Sequence, residues 1–407
     1  MKAEPIAVLH AITDPTSIVL VRGQLAWLRS NGFEPSLLCS PGHNLDRIAA
    51  EENIPVFPIP MSREISPFSD LHSFISICSL LRRVRPLICN AGTPKAGLLV
   101  GLAAWLTRVP CRIYTLRGLR LETAAGFKRA LLTVTEKISC FTAHRVICVS
   151  PSLRERAIRL KLVPPHKAAL LGAGSSNGVD SLRFALTPQK AALAADLRAN
   201  LGIPPDRLVI GFAGRLTRDK GIAELVAAFR CVHEILPETV LMLVGDYEAG
   251  DPIPAEIQNT IESNPAIYRA PFNSQVDYYY TLMDLFVLPT HREGFPNTVL
   301  EAQATGLPVI TTTATGAIDS IEDGVTGLLV PAGDVRTLTE AIVSLLSDPI
   351  RMQSMGSLGR DRVLRNFKNE IIWEALVSLY RTMLHERGYP CPSPATTEEM
   401  KRWVQAQ

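Results

Sequence analysis

Short apolar runs alternate with helix-length segments along the whole chain. This pattern predicts parallel strands joined by crossover helices. In the first half the runs are Ile6–Leu9, Pro35–Cys39, Val56–Ile59, Leu87–Cys89, Arg112–Thr115, Arg145–Val149 and Ala168–Leu171. A second alternation begins at Leu208–Ala213 and continues through Thr239–Val244, Ala266–Ala270, Leu285–Leu288, Pro308–Thr311 and Gly327–Val330. Between the two, residues 181–206 carry Pro188, Pro204 and Pro205 and read as a hinge region. The expected fold is α/β, two Rossmann-like, doubly wound parallel-sheet domains facing a cleft, with ligands at the carboxyl ends of the strands. The domains are placed at residues 1–185 and 186–370, with 371–407 as a C-terminal helix and tail.

Two turns after predicted strands carry chemistry. Residues 293–301, Glu-Gly-Phe-Pro-Asn-Thr-Val-Leu-Glu, put two carboxylates eight positions apart around a strand-to-helix turn. Glu293 falls in the loop and Glu301 about one turn into a short helix, which Gly306 and Pro308 end. The amides at that helix start suit phosphate oxygens, and carboxylates suit hydroxyls, as a nucleotide sugar requires. The second turn is Gly214-Arg-Leu-Thr-Arg-Asp-Lys220-Gly221 after Leu208–Ala213. Gly214 permits a tight turn or close approach. Arg215 and Lys220 are two cations able to stabilise a departing diphosphate. A solvated loop whose cations pair with surface acids is the alternative. Arg218 and Asp219 read as surface turn residues, and Glu301 as a ligand or an ordinary helix-surface acid.

Composition narrows the class. The chain has 407 residues, 47% apolar and 20% charged, ordinary for a globular protein and long enough for two or three domains. Its eight cysteines are scattered without a C-x-x-C pair, which points to reduced cytosolic thiols rather than a disulfide frame or zinc site. Met1-Lys-Ala-Glu-Pro5 leads straight into the first apolar run, so no secretory signal is expected. The longest apolar run, 97–106, falls short of the ~20 residues that span a bilayer. Residues 1–180 carry 22 Lys+Arg against 12 Asp+Glu, a net +10, whereas 181–407 carry 20 against 27, a net −7, which together give the chain's +3. The basic half suits an anionic lipid surface or a diphosphate. No aromatic-interleaved basic stripe, zinc finger or helix-turn-helix signature accompanies it, so nucleic acid is not an expected partner.

The chain resembles the retaining glycosyltransferases of family 4, which have the GT-B fold. In the second half the resemblance rests on Gly214-Arg215-Leu216…Lys220-Gly221, Glu293-Gly-Phe-Pro…Glu301-Ala, Gly306-x-Pro308-Val309, Gly324-Val-Thr-Gly327-Leu-Leu-Val330 and Asp334. It implies that Arg215 and Lys220 bind the donor diphosphate, helped by Gly214 and by the turn Gly294, Phe295, Asn297 and Thr298. Glu293 would meet the transferred sugar and Glu301 the ribose. The first half resembles a narrower subgroup that assembles capsule, exopolysaccharide or O-antigen units, through Arg22-Gly-Gln-Leu25, Thr93-Pro-Lys-Ala-Gly97, Ile113–Glu122, Cys148-Val-Ser-Pro-Ser152 and Gly174-Ser-Ser-Asn-Gly-Val-Asp180. That implies a nucleotide-sugar donor, with UDP preferred, and a polyprenyl-diphosphate-linked saccharide acceptor at an anionic membrane surface. The enzyme would be cytoplasmic and peripheral on the inner face of the membrane. Arg63, Lys95, Arg117, Arg120, Lys128 and Arg129 are then candidates for acceptor diphosphate or lipid headgroups. The resemblance also implies that the C-terminal segment packs back towards the first domain.

Where many members place a His after the fifth strand, this chain has Thr115-Leu-Arg117-Gly118, so Arg117 takes the slot. The first loop, Ala11–Thr16, lacks paired glycines; its Asp14 either contacts an acceptor hydroxyl or caps a helix or turn. Gly172-x-Gly174-x-x-x-Gly178 has one residue too many for a dinucleotide fingerprint. No Asp-x-Asp motif or His ligand spacing is present, so no metal and no cofactor are expected. A catalytically silent GT-B protein, sensing a nucleotide sugar or assisting assembly, is the alternative function.

Overall fold

A computed structural model of the chain describes residues 6–42, 45–62, 66–272 and 275–391. It forms two compact units, Met1–Asn177 with Asn369–Gln407, and Gly178–Lys368.

The first unit holds seven strands: β1 (Ile6–Ala11), β2 (Phe33–Cys39), β3 (Val56–Pro58), β4 (Ile88–Ala91), β5 (Cys111–Leu116), β6 (Arg145–Cys148) and β7 (Ala168–Leu170). They pair in the order β3-β2-β1-β4-β5-β6-β7, all parallel. The second holds β8 (Leu208–Ala213), β9 (Thr239–Val244), β10 (Ile267–Ala270), β11 (Leu285–Leu288), β12 (Val309–Thr312) and β13 (Gly327–Val330), again all parallel, in the order β10-β9-β8-β11-β12-β13. Each strand lies where an apolar run predicts it. Parallel strands are covered by helices on both faces, so both side-chain sets are apolar and the runs are continuous rather than alternating. Ile6 and Val8 of β1 therefore point into one core and Leu9 and Ala11 into the other.

β1 runs two residues past the predicted Leu9, and the reason is polar. His10 is buried at that end, bonded at Nε2 to the Tyr380 hydroxyl, 3.0 Å away. Asn90 Nδ2 donates to the same hydroxyl at 2.8 Å, and Thr115 Oγ1 donates to Asn90 Oδ1 at 2.9 Å. Burial, with help from the Arg117 cation, pulls the His10 pKa down to about 3, so the ring stays neutral and accepts from Tyr380. A buried polar chain thus crosses the ends of β1, β4 and β5.

Tyr380 belongs to the helix Asn369–His385, which completes the first unit. Its apolar face, Ile372, Leu376, Val377, Met383 and Leu384, is buried in the core that also holds Leu25 and Leu28. Each such side chain contributes about 1.5–3 kcal/mol by leaving water. Trp373 packs on Trp27, with ring centroids 5.7 Å apart, and its Nε1 donates to Asn177 Oδ1 at 2.7 Å. No helix among the described residues is long and apolar enough to cross a membrane.

Replacing Tyr380 by Phe removes only the hydroxyl and leaves His10 and Asn90 without that partner. The first unit should lose about 1–3 kcal/mol of stability. A urea or thermal melt reads this directly, and an unchanged midpoint would show that the buried chain does not hold the helix.

Candidate active site

In the second unit the strand order reverses between β8 and β11, which pair side by side. Ligands of doubly wound sheets bind beyond the carboxyl ends at such a point. The two turns singled out in the sequence are the loops that leave these two strands.

The loop after β8 is built on glycine. Gly214 has φ +147°, and Gly221 has φ +73°. A Cβ on Gly221 would overlap the Pro289 carbonyl, so only glycine lets this loop meet the one after β11. The helix Ile222–Ile235 begins there and buries Ile222, Leu225, Val226 and Phe229. On the other side, residues 289–296 lead into the helix Asn297–Thr305, whose C-cap Gly306 is left-handed at φ +95°.

Side chains lock the two loops together. Lys220 pairs with Glu293, both side chains being less than one-fifth exposed. The preceding residue of each loop pairs likewise: Arg292 Nε donates to Asp219 Oδ2 at 3.1 Å, and its Nη2 reaches the same oxygen. Consecutive residues of one turn thus pair with consecutive residues of the other, with the signs crossed. The Asp219 carbonyl accepts from Thr290 Oγ1 at 3.0 Å and from the His291 amide at 2.9 Å. His291 Nε2 lies 2.8 Å from Glu224 Oε1. This corrects the reading of Asp219 as a surface turn residue: it is the hub of the crosslink, while Arg218 is exposed. Arg215 is exposed and pairs with Glu248.

A third loop supports Glu293 from behind. The Glu293 amide donates to the Thr315 carbonyl at 3.1 Å. A Cβ on Gly316, at φ +78°, would overlap the Gly294 carbonyl, so the segment after β12 lies flush against Glu293 and Gly294. Phe295 is buried, its ring 5.3 Å from that of Phe367, so only its main chain is available to a ligand. Asn297 and Thr298 are half-buried at the helix start, where the N-cap Pro296 offers no capping side chain.

Glu301 lies on the same helix, and the hydroxyl of the fully buried Tyr280 donates to its Oε2 at 2.9 Å. Tyr280 is wedged between Phe184 and Phe286, with centroids 5.7 and 5.6 Å away. Burial pushes the Glu301 carboxyl above the ordinary range, and the Tyr280 bond holds that rise back. Such an acid is no solvated helix-surface residue. One carboxylate oxygen is engaged and oriented by the bond, and the other is the natural acceptor for a ligand.

In the first unit the candidates separate. Asp14 Oδ1 accepts from the Thr16 amide at 2.9 Å and caps the turn Pro15–Leu20, so the capping alternative describes its position. Arg117 Nε donates to the Gly92 carbonyl at 2.8 Å, and its other nitrogens reach the Leu20 and Ser176 carbonyls at 3.3 and 3.5 Å. It staples the loops after β1, β4 and β5. Burial lowers its pKa to about 10, which leaves it charged at neutral pH. Lys95 is nearly buried, with Nζ 2.7 Å from both Asp70 oxygens. Arg120 is exposed on the turn after β5, as are Lys128 and Arg129 beyond it. Arg63 lies outside the described residues. Among the described residues no group of three or more His, Cys, Asp and Glu is placed to hold a metal ion.

The sequence reading missed Tyr280, the Asp219–Arg292 pair and Gly316. Arg292 sits beside Glu293 as Asp219 sits beside Lys220, a mirrored order that offered a signal; Tyr280 and Gly316 had none.

Comparison with known proteins agrees with this geometry. Residues 207–348 match the model described as glycosyl transferases group 1, and residues 18–174 that of the glycosyl transferase 4-like domain. The capsular polysaccharide biosynthesis glycosyltransferase CapM of Staphylococcus aureus is 39% identical over 93% of this chain and 98% of its own length. A UDP-Gal:alpha-D-GlcNAc-diphosphoundecaprenol alpha-1,3-galactosyltransferase of Escherichia coli is 26% identical over 84% of this chain and 87% of its own. Anabaena HepE, solved in complex with UDP and glucose, superposes with a TM-score of 0.77 at 18% identity, over 93% of this chain and all of that one. By its fold, its motifs and its relatives, the chain belongs to the family 4 glycosyltransferases of GT-B fold.

Proposed function

We propose that this glycosyltransferase moves a sugar, with retention of configuration, from a UDP-sugar to a saccharide carried on polyprenyl diphosphate, in the assembly of a bacterial surface polysaccharide. The observation that carries this reading is the Lys220–Glu293 pair at the switch point, beside the start of the helix that bears Glu301. The capsular role of CapM, the lipid-diphosphate acceptor in the name of the Escherichia coli relative and the UDP held by HepE support the substrates.

On this reading the donor diphosphate settles against the turn Gly294, Phe295, Asn297 and Thr298, beneath Gly214. Lys220 exchanges Glu293 for a phosphate oxygen, and Glu293 becomes free to accept from hydroxyls of the sugar. Glu301, held by Tyr280, accepts from the ribose. The bond between the anomeric carbon and the phosphate oxygen breaks, and the charge left on the diphosphate is stabilised by Lys220 and Arg215. The acceptor oxygen bonds the same face of the anomeric carbon while its proton passes to the departing phosphate oxygen. We assign the acceptor to the basic first unit, where Arg120 is exposed, rather than to Lys95, whose charge Asp70 already takes. Two protein cations facing the diphosphate make metal and cofactor unnecessary, so turnover should be unchanged in EDTA; its loss would reverse that assignment.

Glu293→Ala should abolish transfer while UDP still binds, and Lys220→Ala should cost about 2–4 kcal/mol of transition-state stabilisation. Single-turnover kinetics with a panel of UDP-sugars and a lipid-diphosphate saccharide measure both. Normal rates in either variant would remove that residue from the chemistry. Absence of turnover with every donor, despite tight UDP binding by the wild type, would favour the silent GT-B alternative. Glu301→Ala should erase the preference for UDP over 2′-deoxy-UDP, and Tyr280→Phe should reduce it. Titration calorimetry with the two nucleotides decides this, since a loss of general fold would weaken both equally.

A further inference from the structure

The second unit begins at Gly178, and the stretch that enters it, residues 180–190, carries two cations, Arg183 and Lys190. The stretch is tightly wound. Asp180 Oδ1 accepts from the amides of Leu182 and Arg183 at 3.1 and 2.9 Å, and the Phe184 amide donates to the Asp180 carbonyl at 3.1 Å. Thr187 caps the helix Pro188–Asn200 by accepting from the Lys190 amide at 3.2 Å.

Both cations turn to one buried acid. Lys190 Nζ lies 2.8 Å from Asp277 Oδ2, and Arg183 donates to Asp277 Oδ1 from Nε at 3.3 Å and from Nη2 at 3.2 Å. Asp277 lies on the short helix Val276–Tyr280, which ends in the tyrosine that holds Glu301. The Phe184 ring packs against that of Tyr280, and the Arg183 guanidinium stands 5.1 Å from the Phe184 ring centroid. Consecutive residues of one turn thus reach the Tyr280–Glu301 pair, one by packing and the other by charge.

Two cations against one acid leave one positive charge over. The Lys190 and Asp277 side chains are 15% and 9% exposed and that of Arg183 33%, so water screens the surplus only in part. Glu301 balances it: with that carboxyl ionised, the four charges sum to zero. The helix Asn297–Thr305 has no other charged residue, and strands β11 and β12 have none. Arg360 of the helix Pro349–Asn366 donates instead to the Ala304 carbonyl, and Asp284 accepts from the Val209 amide at 2.7 Å. Burial raises the Glu301 carboxyl most; the Tyr280 bond and the Arg183 cation oppose that rise, and Asp277 adds to it.

We propose that Arg183 is a positioning residue for the nucleotide: anchored on Asp277 beside Lys190, it is the counter-ion of Glu301 and keeps that carboxylate ready to accept from the ribose. It acts through Glu301 rather than on the ligand. The stretch by which the chain enters the unit thereby governs how firmly the sugar of the nucleotide is held. The inference rests on the reading of Glu301 as the ribose carboxylate, and its test separates the two.

That test is titration calorimetry of the full chain with UDP and 2′-deoxy-UDP across a pH series. The ratio of the two affinities cancels the titration of the diphosphate, which both nucleotides share. In the wild type the ratio should fall as acid protonates Glu301. Arg183→Gln should move that fall to higher pH, because the neutral carboxyl is favoured once its counter-ion is gone. Arg183→Lys keeps the charge and should restore the wild-type profile. Asp277→Asn should move the fall to lower pH, since it removes a like charge and leaves Arg183 to Glu301 alone. Lys190→Gln takes one cation from the same cluster and should shift the profile as Arg183→Gln does, so the outcome does not hang on the folding of one variant. Melting temperatures identify the folded ones. A residue that only tied the stretch to the helix would weaken both nucleotides alike and leave the ratio in place at every pH. That result, or shifts of the same sign in Arg183→Gln and Asp277→Asn, would overturn the counter-ion role and spare the ribose reading. A ratio untouched by Glu301→Ala would overturn the ribose reading and the role of Arg183 with it.

Discussion

The crosslink between the loops after β8 and β11 is the constraint on which the site depends. Two crossed ion pairs, Asp219 with Arg292 and Lys220 with Glu293, join turns more than seventy residues apart in sequence. Their side chains are mostly shielded from water, so removal of one partner would strand a charge in a poorly solvated place. The backbone allows the approach only because Gly221 and Gly316 lack a Cβ. A cation and a carboxylate are thereby held in contact at the switch point. Each charge of the pair offsets the cost of holding the other in a poorly solvated place.

Around that crosslink, oriented hydrogen bonds decide which atoms remain for a ligand. Tyr280 engages one oxygen of Glu301 and is itself immobilised between Phe184 and Phe286. The same principle works to the opposite end in the first unit. Arg117 gives its nitrogens to three main-chain carbonyls, and Lys95 gives its charge to Asp70. These cations hold loops and helices in place. Positive charge also remains outward, among others on Lys128, Arg129 and Lys137 of one helix. The first half is thus basic for two separate reasons, one internal and one external.

The sequence by itself determined the two parallel sheets, because strands covered on both faces must be apolar throughout and thirteen such runs are visible. It also determined the two switch-point loops: Gly214 to Gly221 and Glu293 to Glu301 follow strands and lead into helices, and local spacing suffices to place them. What only the tertiary structure decided was pairing at a distance. The mirrored order of Asp219-Lys220 and Arg292-Glu293 was the one hint of such a pairing; nothing near Glu301 shows Tyr280, and nothing near His10 shows Tyr380, since each partner comes from a separate element of the same unit. A charge count cannot tell Lys95, neutralised indoors, from Lys137, exposed on a helix, because exposure is a property of packing rather than of composition. The sequence specified which groups the protein has, and the fold assigned each of them a partner or left it facing water.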